Sequence, residues 1–283
     1  MTIQHTNHYP VEGVGLGLRR KFFDEILNTP DFAVDFMEMA PENWLHFGGR
    51  QGRQLRTLTE RFPFVCHGLS LDLGGIRPLD ENYLYALKAF FEQHQIRAYT
   101  EHLSYCGDSG HLYDLMPIPF TEEAVHYVSQ RIQRVQDILE QKIGIENVSF
   151  YAMPSSQMSE QEFVTAVLEE ADCNLLFDVN NTYVNSINHQ YSAQDYMQAM
   201  PTERMLYFHM AGHFDEADDL KIDTHGQPVK AEVWQLLEQT YQFHGVVPTL
   251  LERDFNIPPL GELLQELELI RAYQKARNQA YVN

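Results

Sequence analysis

The stretch that decides the fold is NLLFDVNNTYVN, residues 174–185, where an apolar run ends in an aspartate followed by two asparagines. Leu175, Leu176 and Phe177 are typical of a buried strand, yet they deliver Asp178 at the end of it. Removing an unpaired carboxylate from water costs several kcal/mol or more. A helix N-cap is one reason for such an aspartate. A bound cation is the other reason, and the remaining apolar runs of the sequence help to decide between the two.

Short apolar runs alternate with longer amphipathic segments along the chain. The runs are VGLGL (14–18), VDFMEM (34–39), FVCHGLSL (64–71), AYTEHLSYC (98–106), IGIENVSFY (143–151), NLLFDV (174–179), MLYFHMAG (205–212) and VVPTLLERD (246–254). Segments between them, such as DENYLYALKAFFEQHQ, carry apolar residues at the three- and four-residue spacing of helices. Eight strands, each followed by a helix or long loop, predict an α/β protein, a single (β/α)8 TIM barrel over residues 1–283. A doubly wound open sheet is the alternative.

The composition restricts the partners of this protein. Its 283 residues include 20 basic and 40 acidic ones, for a formal net charge of −20, so a phosphate backbone would be repelled and we expect no nucleic-acid partner. No run approaches the roughly 18 apolar residues of a membrane span, and the N-terminus lacks signal-peptide features. We therefore expect a cytoplasmic protein without membrane contact. Cys66, Cys106 and Cys173 have no CxxC spacing and are expected to be reduced, buried thiols.

Imidazole and carboxyl groups recur near the ends of the third to eighth runs and in the loop after the seventh. The candidate metal ligands are His67, His102, Glu146, Asp178, His209, Asp223, His225 and Glu252. Strand C-termini in a TIM barrel converge on one mouth, where active sites lie. The four carboxylates of this set carry about four negative charges, which two divalent cations would neutralise. A set of N and O ligands without thiolate favours zinc, manganese or non-haem iron.

Other polar residues stand beside these candidates. Asn180, Asn181 and His213 are expected to orient the ligands or to act as additional ones. Because neighbouring residues of a strand point to opposite faces, only one of Glu101 and His102 can face inward, and we favour His102. Each residue alone has an ordinary explanation, such as a hydrogen-bonded core histidine. Only the ordered set on successive strands indicates a metal site.

That ordered set resembles the xylose-isomerase-like barrel superfamily. Endonuclease IV-type enzymes of this group bind three metals with His, His, Glu, Asp, His, His, Asp, His and Glu in chain order, and Asn181 stands here in place of one family histidine. A closer resemblance is carried by VGLGLR, DFMEMAPENW, HGLSLDLGG, EHLSYCG, IENVS, FDVNNTYVN, HMAGH, DTHG and LLERD. Together they resemble the bacterial family called domain of unknown function 692, of UPF0276 type. Its relatives include the multinuclear iron enzymes of methanobactin biosynthesis.

The resemblance implies a function that composition and spacing do not. It implies two or three iron ions (Fe2+/Fe3+), with zinc or manganese as alternatives, and O2-dependent oxidation of cysteine residues in a ribosomally synthesised peptide. It also implies a cysteine-containing precursor peptide as substrate and a small leader-binding protein as partner. The catalytic roles would fall to Glu146 as a bridging carboxylate, Asp178, Asn181 and His213.

Two other functions are compatible with the same residues. The first is a redox-neutral sugar isomerase or epimerase, or a phosphoester hydrolase, on the same barrel. Sugar isomerases of this group use a lysine near the metals, and Lys221 is the only candidate close to a ligand loop. The second is a non-catalytic metal-binding or docking module. Glu38, Glu42 and Asn43 on the second run either face the peptide or are solvated loop residues.

Overall fold

Eight parallel strands close into a barrel in the computed structural model of the chain, which describes residues 9–107, 110–153 and 155–282. With strands numbered along the chain, the barrel consists of β1 (Val14–Gly17), β2 (Phe36–Met39), β3 (Phe64–Gly68), β4 (Tyr99–His102), β7 (Gly144–Glu146), β8 (Asn174–Asp178), β9 (Met205–Met210) and β12 (Thr249–Leu251). Each strand pairs with the preceding barrel strand, and β12 closes onto β1. The predicted TIM barrel is confirmed, and the doubly wound alternative is wrong.

Helices cover the outside of the barrel. They are α1 (Phe23–Leu27), α2 (Gly49–Arg61), α3 (Glu81–His94), α4 (Glu122–Leu139), α5 (Glu160–Glu170), α6 (Val179–Asn188), α7 (Ala193–Ala199), α8 (Ala231–His244) and α9 (Leu260–Val282). Asp80, Thr121 and Ser159 each accept a hydrogen bond from a backbone N–H in the first turn, which is why α3, α4 and α5 begin where they do. No helix of the described ranges is both long and apolar enough to cross a membrane.

Two antiparallel hairpins interrupt the alternation of strands and helices. One pairs β5 (Ser104–Gly107) with β6 (His111–Pro117), and the other pairs β10 (Phe214–Ala217) with β11 (Leu220–Ile222). The run 98–106, predicted as one strand, is therefore divided into β4 and β5. Both hairpins follow the C-terminal end of a barrel strand, so they stand on the side of the barrel where active sites lie.

The apolar core has two layers. A large layer lies between the strands and the helices. The smaller layer fills the barrel interior and consists of Val11, Phe36, Val65, Ala98, Leu176, Tyr207 and Leu250. Since alternate residues of a strand share a face, Tyr207 lies one step below His209 on the inward face of β9. The small layer is thus the floor beneath the polar residues at the strand ends.

Candidate metal centre

The ends of β3, β4 and β7 form a triangle of possible ligand atoms. Glu146 Oε2 lies 2.9 Å from His67 Nε2 and 3.1 Å from His102 Nε2, and the two nitrogens are 3.1 Å apart. Atoms that share one metal ion at about 2.1 Å must themselves lie roughly 3 to 3.5 Å apart. The triangle therefore has the dimensions of a metal site. Glu101 is on the other face of β4, where it accepts a hydrogen bond from the Tyr99 hydroxyl at 2.8 Å.

His209 connects this triangle to the opposite wall of the barrel. Its Nδ1 lies 3.1 Å from Glu252 Oε2, 3.8 Å from Asp178 Oδ2 and 3.9 Å from Glu146 Oε1. Its Nε2 lies 2.9 Å from Glu38 Oε2. The His209 ring is completely buried. One imidazole thus contacts carboxylates from four other strands or strand ends.

The loop between β11 and α8 supplies the remaining candidates. His225 Nε2 lies 2.7 Å from Asp223 Oδ1, and His225 Nδ1 lies 3.3 Å from Glu252 Oε2. Ser149 supports this loop, because its hydroxyl donates to Asp223 Oδ2 at 2.9 Å. The structure therefore brings all eight predicted ligands into one continuous cluster.

Asp178 has the geometry for both explanations that the sequence left open, a helix N-cap and a cation ligand. Its Oδ1 accepts the backbone N–H of Asn181 at 2.6 Å and so caps α6. Its Oδ2 is buried with no hydrogen-bond partner among the described residues, on the side of His209. One carboxylate can begin a helix and still offer an oxygen to a cation.

The two asparagines and His213 take different positions. Asn181 Nδ2 donates to Glu146 Oε1 at 3.1 Å, which leaves its buried Oδ1 without a partner in the described part of the chain. Asn180 Nδ2 donates to Asp223 Oδ1 at 2.9 Å, and Asn180 Oδ1 contacts His213 Nδ1 at 2.8 Å. The contact of His213 with the cluster thus runs through the Asn180 side chain.

Unpaired buried atoms mark the centre. Within the described ranges, the cluster contains five buried atoms without an acceptable hydrogen bond, namely Glu146 Oε2, Asp178 Oδ2, Asn181 Oδ1, His209 Nδ1 and His225 Nε2. Glu146 Oε2, His209 Nδ1 and His225 Nε2 still lie within 3.1 Å of a ring nitrogen or a carboxylate oxygen, so the atoms without a close partner in the described chain are Asp178 Oδ2 and Asn181 Oδ1. Folded proteins pair about nine in ten or more of their buried polar atoms, so these two are the ones that a bound ion would satisfy. Three overlapping groups, each with ligand atoms within 4.8 Å of one another, could hold an ion: His67–Glu146–His209, Glu38–His209–Glu252 and Asp178–His225–Glu252.

The electrostatics of the centre favour positive charge. Burial alone would raise the pKa of Glu146, but the neighbouring His102 and His67 lower it to about 2. Burial opposes a charge on His102, yet Glu146 and Glu101 raise the pKa of His102 to about 10. Burial and the charge of Glu146 raise the pKa of Asp178 well above its usual range. Protons or metal cations could supply the positive charge that these carboxylates require.

A cleft of about 640 Å³ opens above the centre, within the range of ligand sites. Its walls include Arg19 and the exposed apolar side chains of Leu69, Tyr151 and Phe255. The buried cluster is therefore accessible to a substrate.

Sequence reasoning missed the position of Glu38. The side chain was expected either to face a peptide or to be solvated, but it is 2% exposed and lies against His209. Its spacing of two residues from the inward Phe36 is the signal that would have placed it inside the barrel. Of its predicted neighbours, Glu42 accepts the Leu69 backbone N–H at 2.8 Å, and Asn43 lines the cleft.

Arg19 is a second residue that the sequence did not reveal. Its Nη2 donates to Glu252 Oε1 at 3.1 Å and also hydrogen bonds to Asp254, across 233 and 235 residues of chain. The arginine occupies one oxygen of Glu252 and leaves Oε2 facing His209 and His225. No local sequence pattern signals a contact of this range.

The fold and the cluster define a TIM barrel with groups that could hold metal ions, and the fold is similar to that of xylose-isomerase-like barrels. The chain superposes on D-psicose 3-epimerase with D-tagatose from Clostridium cellulolyticum H10 with a TM-score of 0.62 and 9% identity, covering 95% of this chain and 97% of that one. A xylose isomerase domain protein from Planctomyces limnophilus gives a TM-score of 0.60 and 12% identity, covering 96% and 99%. At such identities the likeness concerns the fold alone.

The family is shown by sequence. Residues 13–275 match the family described as RiPP precursor modification enzyme MbnB/TglH/ChrH, and the chain belongs to this family. A UPF0276 protein of Shewanella loihica is 62% identical over 261 residues, 92% of this chain and 94% of the relative. UPF0276 protein PA3283 of Pseudomonas aeruginosa PAO1 is 56% identical over 270 residues, 95% of each. The resemblance read from the sequence motifs is confirmed.

Proposed function

We propose that this protein is a multinuclear non-haem iron enzyme that uses O2 to oxidise cysteine residues of a ribosomally synthesised precursor peptide. Membership of a family that modifies such precursors supports the coarser part of the proposal. The observation that carries the rest is the buried cluster, in which His209 Nδ1 lies between Glu146 on one side and Asp178 and Glu252 on the other, so that neighbouring groups of ligands adjoin at His209. Groups that share ligands suit several ions held side by side.

The proposed ligands have the chemistry that iron requires. They are His67, His102, Glu146, Asp178, His209, Asp223, His225 and Glu252, with Asn181 as a further ligand through its unpaired Oδ1. Imidazole and carboxylate suit iron, and also zinc or manganese. Glu146 is the proposed bridge, because its Oε2 faces His67 and His102 while its Oε1 lies on the side of Asn181.

Iron ions bound in this cluster would supply the electrons and the Lewis acidity of the reaction. The protein's own residues orient the ligands. The Gly68 carbonyl accepts the His102 Nδ1–H at 2.8 Å, so that His102 Nε2 faces Glu146. Arg19 holds one oxygen of Glu252 and leaves the other free. Ligands fixed in this way need little reordering when an ion binds.

The cleft supports a peptide as the substrate. Leu69, Tyr151 and Phe255 at its wall are 37%, 49% and 65% exposed, and such apolar surface gains from burial against a peptide chain. The described residues that line the cleft include no lysine, and Lys221 pairs with Asp215 at 3.1 Å. The lysine-assisted isomerase alternative therefore has less support. The proposal includes a cysteine-containing precursor and a small leader-binding partner protein.

The test combines metal analysis with a peptide assay. Protein purified without oxygen from iron-supplemented cells is expected to contain more than one iron ion per chain. After O2 is admitted, it is expected to change the mass of a cysteine-containing precursor peptide encoded beside it, whereas a precursor with Ala in place of Cys stays unchanged. Zinc or manganese in the protein, no optical band in air and no change in peptide mass would contradict the proposal and favour the redox-neutral alternative.

A further inference from the structure

We infer that Glu38 is a positioning residue within a buried hydrogen-bond chain, His67–Thr100–Tyr207–Glu38–His209, which sets the ring nitrogen that each of the two histidines presents to the centre. The inference rests on the proposed metal centre. It adds residues that do not themselves belong to the proposed ligand set.

The chain is continuous and buried. Its four links are His67 Nδ1 to Thr100 Oγ1 at 2.8 Å, Thr100 Oγ1 to Tyr207 OH at 2.9 Å, Tyr207 OH to Glu38 Oε2 at 2.6 Å, and Glu38 Oε2 to His209 Nε2 at 2.9 Å. No member is more than 5% exposed. Because solvent has little access, the groups must satisfy one another, and the direction of each hydrogen bond follows from the supply of protons.

The donor and acceptor of each hydrogen bond follow from the Glu38 carboxylate. The Tyr207 hydroxyl donates to Glu38 Oε2, and because this oxygen is the acceptor, the His209 Nε2–H at 2.9 Å from it donates to it as well. Tyr207 has one hydroxyl proton, so its oxygen must accept from Thr100. Thr100 likewise has one proton, and the Tyr207 oxygen at 2.9 Å is a closer acceptor for it than the Cys66 carbonyl at 3.4 Å, so the Thr100 oxygen accepts from the His67 Nδ1–H. The Glu38 carboxylate thus determines which atom donates and which accepts in each of the four hydrogen bonds.

The consequence appears at the other nitrogen of each ring. With Nε2 protonated, a neutral His209 presents the lone pair of Nδ1 toward Glu252 and Asp178. With Nδ1 protonated, a neutral His67 presents the lone pair of Nε2 toward Glu146. A metal ligand needs such a lone pair, and the hydrogen bond at the opposite nitrogen determines which one is available.

The position of the chain argues against a role in packing alone. Thr100 and Tyr207 lie one step below His102 and His209, and Tyr207 belongs to the layer whose other members include Phe36 and Leu250. An apolar floor needs no hydroxyl groups, and burying them is costly unless they are paired. Here they link β3, β4, β9 and β2, although β9 is not adjacent to the other three strands in the barrel. The hydroxyls thus connect two histidines on opposite walls.

The test uses Zn²⁺ as a diamagnetic probe. Affinity is measured by competition with a chromophoric chelator, and the ring nitrogens of the Zn²⁺-loaded protein are observed by ¹⁵N NMR of labelled histidine. Glu38→Gln replaces the acceptor with a group that can donate, and it is expected to weaken Zn²⁺ binding about 10- to 100-fold. Tyr207→Phe is expected to weaken it several-fold and to shift the ring signals of His67, which the phenol does not contact.

Tyr241→Phe is the matched control. It removes another buried tyrosine hydroxyl, which contacts Thr249 Oγ1 at 2.5 Å and is not part of the hydrogen-bond chain. This variant is expected to leave Zn²⁺ affinity unchanged. Thermal unfolding of each variant separates lost stability from lost affinity. The inference is overturned if Glu38→Gln and Tyr207→Phe bind Zn²⁺ as tightly as Tyr241→Phe, or if wild-type His209 binds Zn²⁺ through Nε2. A wild-type protein that binds neither zinc nor iron would overturn the proposed function as well.

Discussion

The two halves of the candidate centre are built in different ways. Strand pairing positions one half, since His102 is the direct ladder partner of Glu146, and Asp178 that of His209. The other half, Asp223 and His225, lies on the loop between β11 and α8, after the second hairpin. Backbone hydrogen bonds between neighbouring strands fix the positions of the residues in the first half (the strand half). The positions of the residues in the second half (the loop half) depend on individual side-chain contacts.

Those contacts can be named. Ser149 and Asn180 donate to the Asp223 carboxylate, and the Asp254 backbone N–H donates to the His225 carbonyl at 2.9 Å. His225 has a positive φ of 47°, a conformation that few side chains adopt. Each such hydrogen bond contributes about 1 kcal/mol net. We therefore expect the strand half to determine whether any cation binds, and the loop half to determine how many bind and how tightly.

The largest effect is expected from Glu146→Gln in the strand half. The change keeps the volume but removes the negative charge between His67 and His102. Metal affinity should fall by more than about 100-fold, beyond the usual effect of losing a residue that only supports a ligand. Metal analysis after desalting measures it, with Glu160→Gln, at another buried glutamate, as the control. A Glu146→Gln protein that retains the full metal content would contradict the proposed division.

His225→Asn tests the loop half. Asparagine tolerates positive φ, so the backbone should persist while the imidazole contacts with Asp223 and Glu252 are lost. We expect the loss of one ion per chain, with the strand half still occupied. Metal stoichiometry measures the change, and His94→Asn removes a buried histidine elsewhere as the control. Loss of all metal would show that the two halves are not separable.

Glu160 provides a buried carboxylate outside both halves, and its effect depends on pH. Burial raises the pKa of Glu160 to about 7, although hydrogen bonds such as that from Tyr191 oppose the shift. Because this pKa lies above the unfolded value of about 4.5, the free energy of unfolding should fall as pH rises from about 4.5 to 7. The accumulated loss is on the order of 3 kcal/mol.

Glu160→Gln should therefore raise the Tm at pH 8 and change it little at pH 4.5. Thermal unfolding at the two pH values measures this. Glu162→Gln in the first turn of the same helix should have the opposite sign at pH 8, because hydrogen bonds from Ser159 lower the pKa of Glu162. An equal change in the Tm of Glu160→Gln at both pH values would show that the Glu160 carboxyl is not held protonated.

The smallest effect is expected from Ser149→Ala. The change removes one hydrogen bond to Asp223 Oδ2, worth about 1 kcal/mol, so the loop-half ion should bind about fivefold more weakly. Metal titration measures it. Ser156→Ala removes a hydroxyl that bonds to the Met158 carbonyl, outside the centre, and should have no effect on affinity. An effect of Ser149→Ala as large as that of His225→Asn would mean that the loop has no other support.

The fold was largely predictable because short apolar runs alternate with helical segments, and polar candidate ligands mark the ends of most runs. Three helices, α2, α6 and α7, were not. The segment that forms α2 contains two glycines and mostly polar residues, so its periodicity is weak. The segment that forms α6 is rich in asparagine, a poor helix former. Contacts outside the helix hold it, since Asn181 donates to Glu146 and Asn185 to Glu160. Tertiary contacts of this kind leave no local signal.

For the centre, the sequence indicates which strands carry ligands but not how each ligand is held. Residue order and strand alternation suffice to bring His67 and Glu146 to one rim. They contain no information on ring tautomers, which depend on Thr100 and Tyr207 below the rim. Nor do they reveal Arg19, whose contact with Glu252 forms only when the barrel closes.

That closure has a consequence for the living cell. Glu252 follows the final barrel strand, and Arg19 follows the first, so their bridge stands at the seam between β12 and β1. A ribosome must release the chain as far as Glu252 before this seam can form. A nascent chain can carry His67 and Glu146 long before it has a closed site, and binding of the proposed metal ions is therefore expected to follow synthesis instead of accompanying it.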